Sequence, residues 1–346
     1  MPGRGESAAP LAGSPPAVST DLIVIGASAG GVEALRGVVA GLAPGLPAPV
    51  VVVLHIPRDA PSALAGILDR SGALPAVTAR HDEPLRDGVV HVAPADHHVL
   101  VADGRVQLSR GAAENGHRPA VDPLFRSAAA AYGAGAVGVV LSGARDDGTA
   151  GLATIVGRGG VALVQDPKDA LHASMPASAL RHVPSAHVHP AAKIGAALGD
   201  LLADPDRPRR PPDPVDPLLA AETAIAALAP LTTDRVQSAQ PSALSCPSCH
   251  GILFELPGAP SPRFRCRVGH AYSPDSLAAE QAESVEQALW AALRAIEEKM
   301  ALLRRLADGA EEAGRPRSAA AHRGRVQEAE RDAALVRGLV ARGPAA

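Results

Sequence analysis

Two groups of residues in this chain have types and spacings that suit chemistry. The first begins at Gly26-Ala27-Ser28-Ala29-Gly30, a G-x-S-x-G pattern directly after the apolar run 22–25. A sharp strand-to-helix turn of this kind lifts a serine hydroxyl to the carboxyl end of a buried strand. The free amides and dipole of the next helix then face any oxyanion that develops there. Gly26, Gly30 and Gly31 also approximate a dinucleotide-binding turn, so the motif alone leaves hydrolase, nucleotide site and structural turn about equally open. A nucleotide site calls for an acidic residue at the end of the second strand. Here the run Val50–Leu54 ends in His55, a residue type that takes a proton from a serine hydroxyl. A third run, 137–141, enters the turn Ser142-Gly143, and Asp146-Asp147-Gly148 follows. One of these aspartates can orient an imidazole while the other caps the next helix. Three strand ends would then supply serine, histidine and carboxylate for acyl transfer through a covalent intermediate.

The second group holds every cysteine of the chain. Cys246-Pro247-Ser248-Cys249 gives C-x2-C, and Cys266 with His270 gives C-x3-H. Two such knuckles form the Cys3His set of tetrahedral zinc, and four protein ligands leave no open position, which makes the expected zinc structural. A redox C-x-x-C, or haem attachment at Cys249-His250, fits less well, because Cys266 and His270 would then have no role. Arg263, Arg265 and Arg267 make this segment locally basic, and three alternate arginines read as a solvated face.

The elements that must position these residues are legible in the pattern. Apolar β-prone runs at 22–25, Val50–Leu54, 137–141 and 161–164 alternate with helical segments at 32–40, 62–70, 123–132 and 152–158. Continuous apolar strands alternating with helices predict an α/β fold, a doubly wound, mostly parallel sheet covered on both faces. Residues 98–108, with Asp103-Gly104 at their centre, predict a hairpin and so an antiparallel portion. Residues 204–217 are rich in proline and read as a linker, with an Ala-rich helix at 218–228. Ser273-Pro274-Asp275 opens a long helix, with capping serine, proline at the first position and an acid in the first turn. Its apolar stripe is Val285, Leu289, Ala292, Ile296, Met300 and Leu303, and Gly309, Gly314 and Pro316 break it. A second stripe, Val326, Ala329, Ala333, Val336 and Val340, predicts a helical hairpin. The expected order is a leader at 1–20, a catalytic domain at 21–202, a linker with a short helix at 203–242, a zinc-ribbon-like segment at 243–272 and the hairpin at 273–342.

Composition removes several classes. Charged residues are 20% and the formal net charge is -3, which gives no reason to expect nucleic acid or an anionic membrane as a partner. No apolar run is long enough to span a bilayer, so no membrane insertion is expected. The leader lacks a signal-peptide core and the few cysteines do not suit a secreted scaffold, so a cytoplasmic protein is expected.

Taken in order, several segments resemble the catalytic domain of the chemotaxis protein-glutamate methylesterases over residues 21–188. They are Ile25-Gly26-Ala27-Ser28-Ala29-Gly30-Gly31, Val53-Leu54-His55-Ile56-Pro57, His91-Val92-Ala93-Pro94-Ala95-Asp96-His97-His98, His117-Arg118-Pro119-Ala120-Val121-Asp122-Pro123-Leu124-Phe125, Leu141-Ser142-Gly143-Ala144-Arg145-Asp146-Asp147-Gly148, Gln165-Asp166-Pro167 and Met175-Pro176. The resemblance implies Ser28 as nucleophile, His55 as general acid and base, and Asp147, the aspartate directly before the glycine, as orienting carboxylate. It implies removal of methyl esters from glutamate side chains of a chemotaxis-receptor-like protein, deamidation of glutamines at such sites, and no catalytic cofactor. The family usually carries a receiver domain ahead of the esterase, whereas about 20 leader residues stand here, so gating by phosphorylation within the chain is not expected. Ala29 and Ala144 stand where the family commonly has Thr and Met, which bears on substrate choice. Arg118, Asp122, His98 and Met175 lie in family-like segments outside the catalytic set, and pairing with an aspartate is the expected role of Arg118. His81, His182, His187 and His189 are expected in exposed loops. A regulatory protein docking on the tail would replace the receiver. An idle esterase fold that binds through that tail is the competing reading.

Overall fold

The computed structural model describes residues 20–59, 62–207, 214–229, 240–256 and 262–342. Most of the leader, and the linker stretches 208–213 and 230–239, lie outside the described residues. The chain forms two compact units, one within residues 20–229 and one within 240–342.

The first unit runs β1 (Leu22–Ala27), α1 (Gly31–Ala40), β2 (Val50–Leu54), α2 (Leu64–Asp69), β3 (Ala76–Thr78), β4 (Val90–Val92), β5 (His98–Ala102), β6 (Arg105–Ser109), α3 (Val121–Tyr132), β7 (Ala136–Val140), α4 (Thr149–Gly157), β8 (Val161–Gln165), α5 (Ser174–His182), β9 (His187–His189), α6 (Ala191–Ala203) and α7 (Pro217–Ala226). Seven strands pair in the order β3-β4-β2-β1-β7-β8-β9, every pair parallel. The antiparallel portion is a separate sheet, the β5–β6 hairpin, turned by Asp103 (φ 50) and Gly104 (φ 68) as an Asp-Gly turn requires.

Side chains of β1 alternate between two cores. Ile23 and Ile25 pack with Leu35, Val38, Ile194 and Leu198 of α1 and α6. Leu22 and Val24 pack with Leu124, Phe125, Leu152 and Ile155 of α3 and α4. Burial on both faces is why these strands read as unbroken apolar runs. His187 and His189, expected in loops, form the edge strand β9 through pairing with β8.

The second unit opens with a four-stranded antiparallel ribbon of β10 (Gln240–Ser245), β11 (Ile252–Glu255), β12 (Phe264–Cys266) and β13 (Ala271–Tyr272). Its small core holds Cys246, Leu253, Cys266, Tyr272 and Leu277. The basic face expected there does not form. Arg263 and Arg265 are buried, Arg265 donating to the Gly269 carbonyl at 2.8 Å, and Arg267 lies over the Phe254 ring. Helices α8 (Pro274–Glu312) and α9 (Pro316–Arg342) follow. Ser273 caps α8 as expected, its Oγ accepting from the Ser276 amide at 3.0 Å. Leu293, Met300, Ala329 and Ala333 form the seam between the two helices. Two details differ from the pattern. Gly309 lies inside α8, which continues to Glu312, and Leu293 rather than its neighbour Ala292 turns into the seam. Val285 is exposed, because it lies N-terminal to the stretch of α8 that α9 pairs with.

Candidate active site

Strand β1 sits between β2 and β7, so the strand order reverses there, and the crevice beyond the carboxyl ends is where open α/β sheets place their sites. The ladder continues right up to the candidate residues. The Ser28 amide donates to the Ser142 carbonyl at 2.9 Å, and the His55 amide donates to the Ala27 carbonyl at 3.1 Å. All three loop origins are thereby fixed to one another by main-chain bonds.

Within that crevice, Ser28 Oγ lies 3.0 Å from His55 Nδ1, and His55 Nε2 lies 2.7 Å from Asp147 Oδ2. A carboxylate only accepts, so Nε2 carries the proton and Nδ1 presents its lone pair to the hydroxyl. The Asp147 carboxylate also accepts from the Val121 amide at 2.6 Å, Asn115 Nδ2 at 2.8 Å and the Gly148 amide at 3.0 Å. Burial alone would push its carboxyl up. The hydrogen bond and charge of His55, with the Val121 amide, outweigh burial and hold it well below the ordinary carboxylate range. Asp146 is buried beside it, but the bond to His55 is made by Asp147.

Gly30 takes the left-handed conformation at φ 70 and turns the chain into α1. A Cβ on Gly143 would lie 2.0 Å from Met175 Sδ and 2.9 Å from the Ser28 Cβ, so only glycine lets this loop pass so close to the serine. Among the described residues, the amides of Ala29 and Ala144 have no hydrogen-bond acceptor, which leaves both as donors beside the serine turn.

Two supporting residues carry no role in the sequence reading. The His117 ring stacks on that of His55, with centroids 3.7 Å apart and planes inclined by 17°. Burial first, then the neighbouring His55, pushes the His117 pKa down to about 3, so it stays neutral. Asn115 bridges Asp147 and Asp122, 2.8 Å and 3.1 Å away. Both belong to a two-residue turn with Asn115 at φ 51 and Gly116 at φ 80, closed by reciprocal bonds between Glu114 and His117. The Asn-Gly pair was the available signal, since it marks a tight turn in a segment next to family-like residues.

The other family-like residues serve the frame. Arg118 pairs with Asp96, its Nε 2.9 Å from Oδ1. His98 bridges the Ala112 carbonyl and the Ala120 amide. Asp122 accepts from the Gly151 amide at 2.7 Å, and Met175 is buried against Gly143.

The CheB methylesterase family model matches residues 23–198. The chain belongs to this family. It is 45% identical over 181 residues to protein-glutamate methylesterase/protein-glutamine glutaminase 3 of Anaeromyxobacter dehalogenans, covering 51% of this chain and 53% of the relative. It is 36% identical to the protein-glutamate methylesterase FrzG of Myxococcus xanthus, covering 51% of this chain and 53% of FrzG. The crystal structure of the Thermotoga maritima CheB methylesterase catalytic domain superimposes with a TM-score of 0.50 at 33% identity, covering 52% of this chain and 98% of that domain. The chain spans about half the length of the curated relatives it matches. Its CheB-like part is thus the first unit, and the ribbon and hairpin lie beyond the matched residues.

In the second unit, Cys246, Cys249, Cys266 and His270 converge, their four ligand atoms all within 4.8 Å of one another. Cys249 Sγ and Cys266 Sγ are 3.6 Å apart, as are Cys266 Sγ and His270 Nδ1. A tetrahedron of zinc–sulfur bonds has edges of about 3.8 Å, so the donor set and its spacing fit that ion. The Tyr272 hydroxyl lies 2.7 Å from Ser248 Oγ and 3.7 Å from Cys246 Sγ, where it braces the first knuckle.

Proposed function

We propose that this chain hydrolyses methyl esters of glutamate side chains on a chemotaxis-receptor-like protein, with Ser28 as nucleophile, His55 as general acid and base, and Asp147 as orienting carboxylate. The observation that carries the reading is the continuous chain Ser28 Oγ–His55 Nδ1–His55 Nε2–Asp147 Oδ2, at 3.0 and 2.7 Å. Ser28 Oγ attacks the side-chain carbonyl carbon as its proton passes to His55 Nδ1. The Ala29 and Ala144 amides take the developing oxyanion. Collapse of the intermediate breaks the carbon–oxygen bond to the methoxy group, which leaves as methanol with the proton from His55. Water then gives a proton to His55 and attacks the acyl-enzyme, and the serine regains that proton as the free glutamate leaves. A glutamine amide follows the same course and releases ammonia. None of these steps calls on a cofactor.

The methylesterase and glutaminase names of the relatives support the substrate class. The Cys3His cluster is read as structural zinc that holds the ribbon where a core is small. Thiols free of disulfides accord with a cytoplasmic enzyme. Among the described residues no helix is long and apolar enough to cross a membrane. The division into leader, catalytic domain, linker, ribbon and hairpin remains the proposed organisation, with the tail as the docking element for a regulatory protein.

The test is intact mass after treatment with an alkyl fluorophosphonate, paired with methanol release from a peptide bearing glutamate γ-methyl ester. A single adduct on the wild type, absent from Ser28→Ala, together with Ser28-dependent methanol, is the expected result. Folded protein that takes no adduct would overturn the reading.

A further inference from the structure

Three ion pairs tie α8 to α9: Glu297–Arg337, Arg304–Glu330 and Glu311–Arg323. They recur every seven residues along both helices, so the hairpin has the heptad order of an antiparallel coiled coil. With Leu293, Met300 and Ala307 at a and Ile296 and Leu303 at d, all three α8 partners fall at e. The same frame on α9 puts Val326 and Ala333 at a, Ala329 and Val336 at d, and its three partners at e as well. Every ion pair therefore lies along one edge of the seam.

The other edge carries four exposed leucines, interspersed with Lys299 on α8 and Arg325, Glu328 and Asp332 on α9. Leu302 and Leu335 occupy c, and Leu306 and Leu339 occupy g, with 58%, 70%, 45% and 45% of their surface exposed. Ala295 at c of α8 and Ala321 at c of α9 extend the same face with small side chains. A helix with apolar residues at a and d and again at c and g carries two seams and so wants two neighbours. Each helix here has its a/d neighbour, while its c/g seam faces solvent.

We propose that the c/g face of this hairpin is the interface of a homodimer, in which two hairpins stack face to face as a four-helix bundle. The occupant must satisfy both helices at the same level, because the ion pairs set residues 299–302 of α8 beside 332–335 of α9. A second copy does this. With a two-fold axis parallel to the helices, each α8 lies on the partner's α9, and Leu302 meets the partner's Leu335 within a turn. Charge agrees with the arrangement, since exposed Lys299 at g of α8 comes within a turn of the partner's exposed Asp332 at g of α9.

The test is sedimentation equilibrium of the purified, untagged full chain across a concentration series, in wild type and variants. The expected result is a mass of two chains that falls to one on dilution. Leu302→Lys with Leu335→Lys should weaken the dimer about 100-fold, the scale of losing buried anchors. Both sites are exposed in the single chain, so helix content by circular dichroism should stay the same. Lys299→Asp and Asp332→Lys should each weaken it, and the double exchange should restore it. A single-chain mass at every concentration would overturn the proposal and leave the face to a different protein. A dimer indifferent to the leucine substitutions would overturn it too, because its interface would then lie elsewhere.

Discussion

The imidazole of His117 lies flat on that of His55, 3.7 Å between centroids. The stack fixes the ring plane of His55 between the serine and the carboxylate without taking either of its nitrogens. His117→Ala removes this support and is expected to lower kcat about 10-fold, equivalent to ~1.4 kcal/mol of barrier. His117→Phe keeps a flat face and should retain most activity. Methanol-release kinetics on both variants check this, and equal losses would assign His117 a polar role instead.

The same histidine sets a pH dependence of stability. In the unfolded chain it takes up a proton near its ordinary value of 6.5, but in the fold only near about 3. Between those values the unfolded state binds more protons, so stability is full above pH 6.5 and is lost as pH falls toward 3, by up to ~1.4 kcal/mol per pH unit. Buried His98 is shifted in the same direction. The depressed carboxyl of Asp147 adds a further loss once pH drops below the ordinary carboxylate range. Urea unfolding from pH 7 to pH 4 should show this slope, and His117→Phe should remove about one proton's share of it.

Asn115 donates to both Asp147 and Asp122. Asn115→Asp would place a third carboxylate among them and convert a donor into a repulsion. We expect a loss of at least ~1–3 kcal/mol in stability, the cost of stranding buried acceptors, and a rise in the pH needed for full activity. Thermal melts and a pH–rate profile measure the two effects.

Arg126 Nη2 sits 2.8 and 2.7 Å from the two Glu114 oxygens, with both side chains buried. Breaking the pair by Glu114→Ala is expected to cost about 3–5 kcal/mol, because it leaves a buried charge with less compensation. Glu114 also begins the turn that holds Asn115 and His117, so activity should fall with it. The double change Glu114→Leu, Arg126→Met should recover much of the stability, read by denaturant midpoint.

For the ribbon, metal analysis of protein purified without added zinc should give one zinc per chain. Cys266→Ser should lower that ratio and, with a strong chelator, should abolish the Tyr272 near-ultraviolet signal while fluorophosphonate labelling of Ser28 persists. Zinc-free protein with an intact ribbon would remove the metal from the proposal.

Much of this was legible in the sequence because the informative features are local or periodic. Strands buried on both faces leave unbroken apolar runs, so β1, β2, β7 and β8 could be placed, with Ser28 and His55 directly after β1 and β2 and Asp147 in the loop that follows β7. The choice of Asp147 over Asp146 needed the family pattern; the hydrogen bond to His55 is made by Asp147. The stack of His117 on His55 was not legible, since no periodic signal links a turn at 114–117 to a strand end 60 residues earlier. The arginines of the ribbon misled for a related reason. Alternate charges on a strand read as solvated, yet a small domain buries guanidinium groups when carbonyls such as that of Gly269 receive them.

Strand β1 lies between the strand that delivers His55 and the strand that delivers Asp147. The three residues come together only when both flanks of that central strand have zipped, bringing Ser28 to His55, 27 positions on, and His55 to Asp147, 92 positions further on. With the roles proposed above, hydrolysis therefore reports closure of both flanks of β1. A refolding chain that has closed only one flank holds either the proposed base without its orienting carboxylate or that carboxylate without the base, so recovery of hydrolysis marks closure of the second flank and not the first collapse.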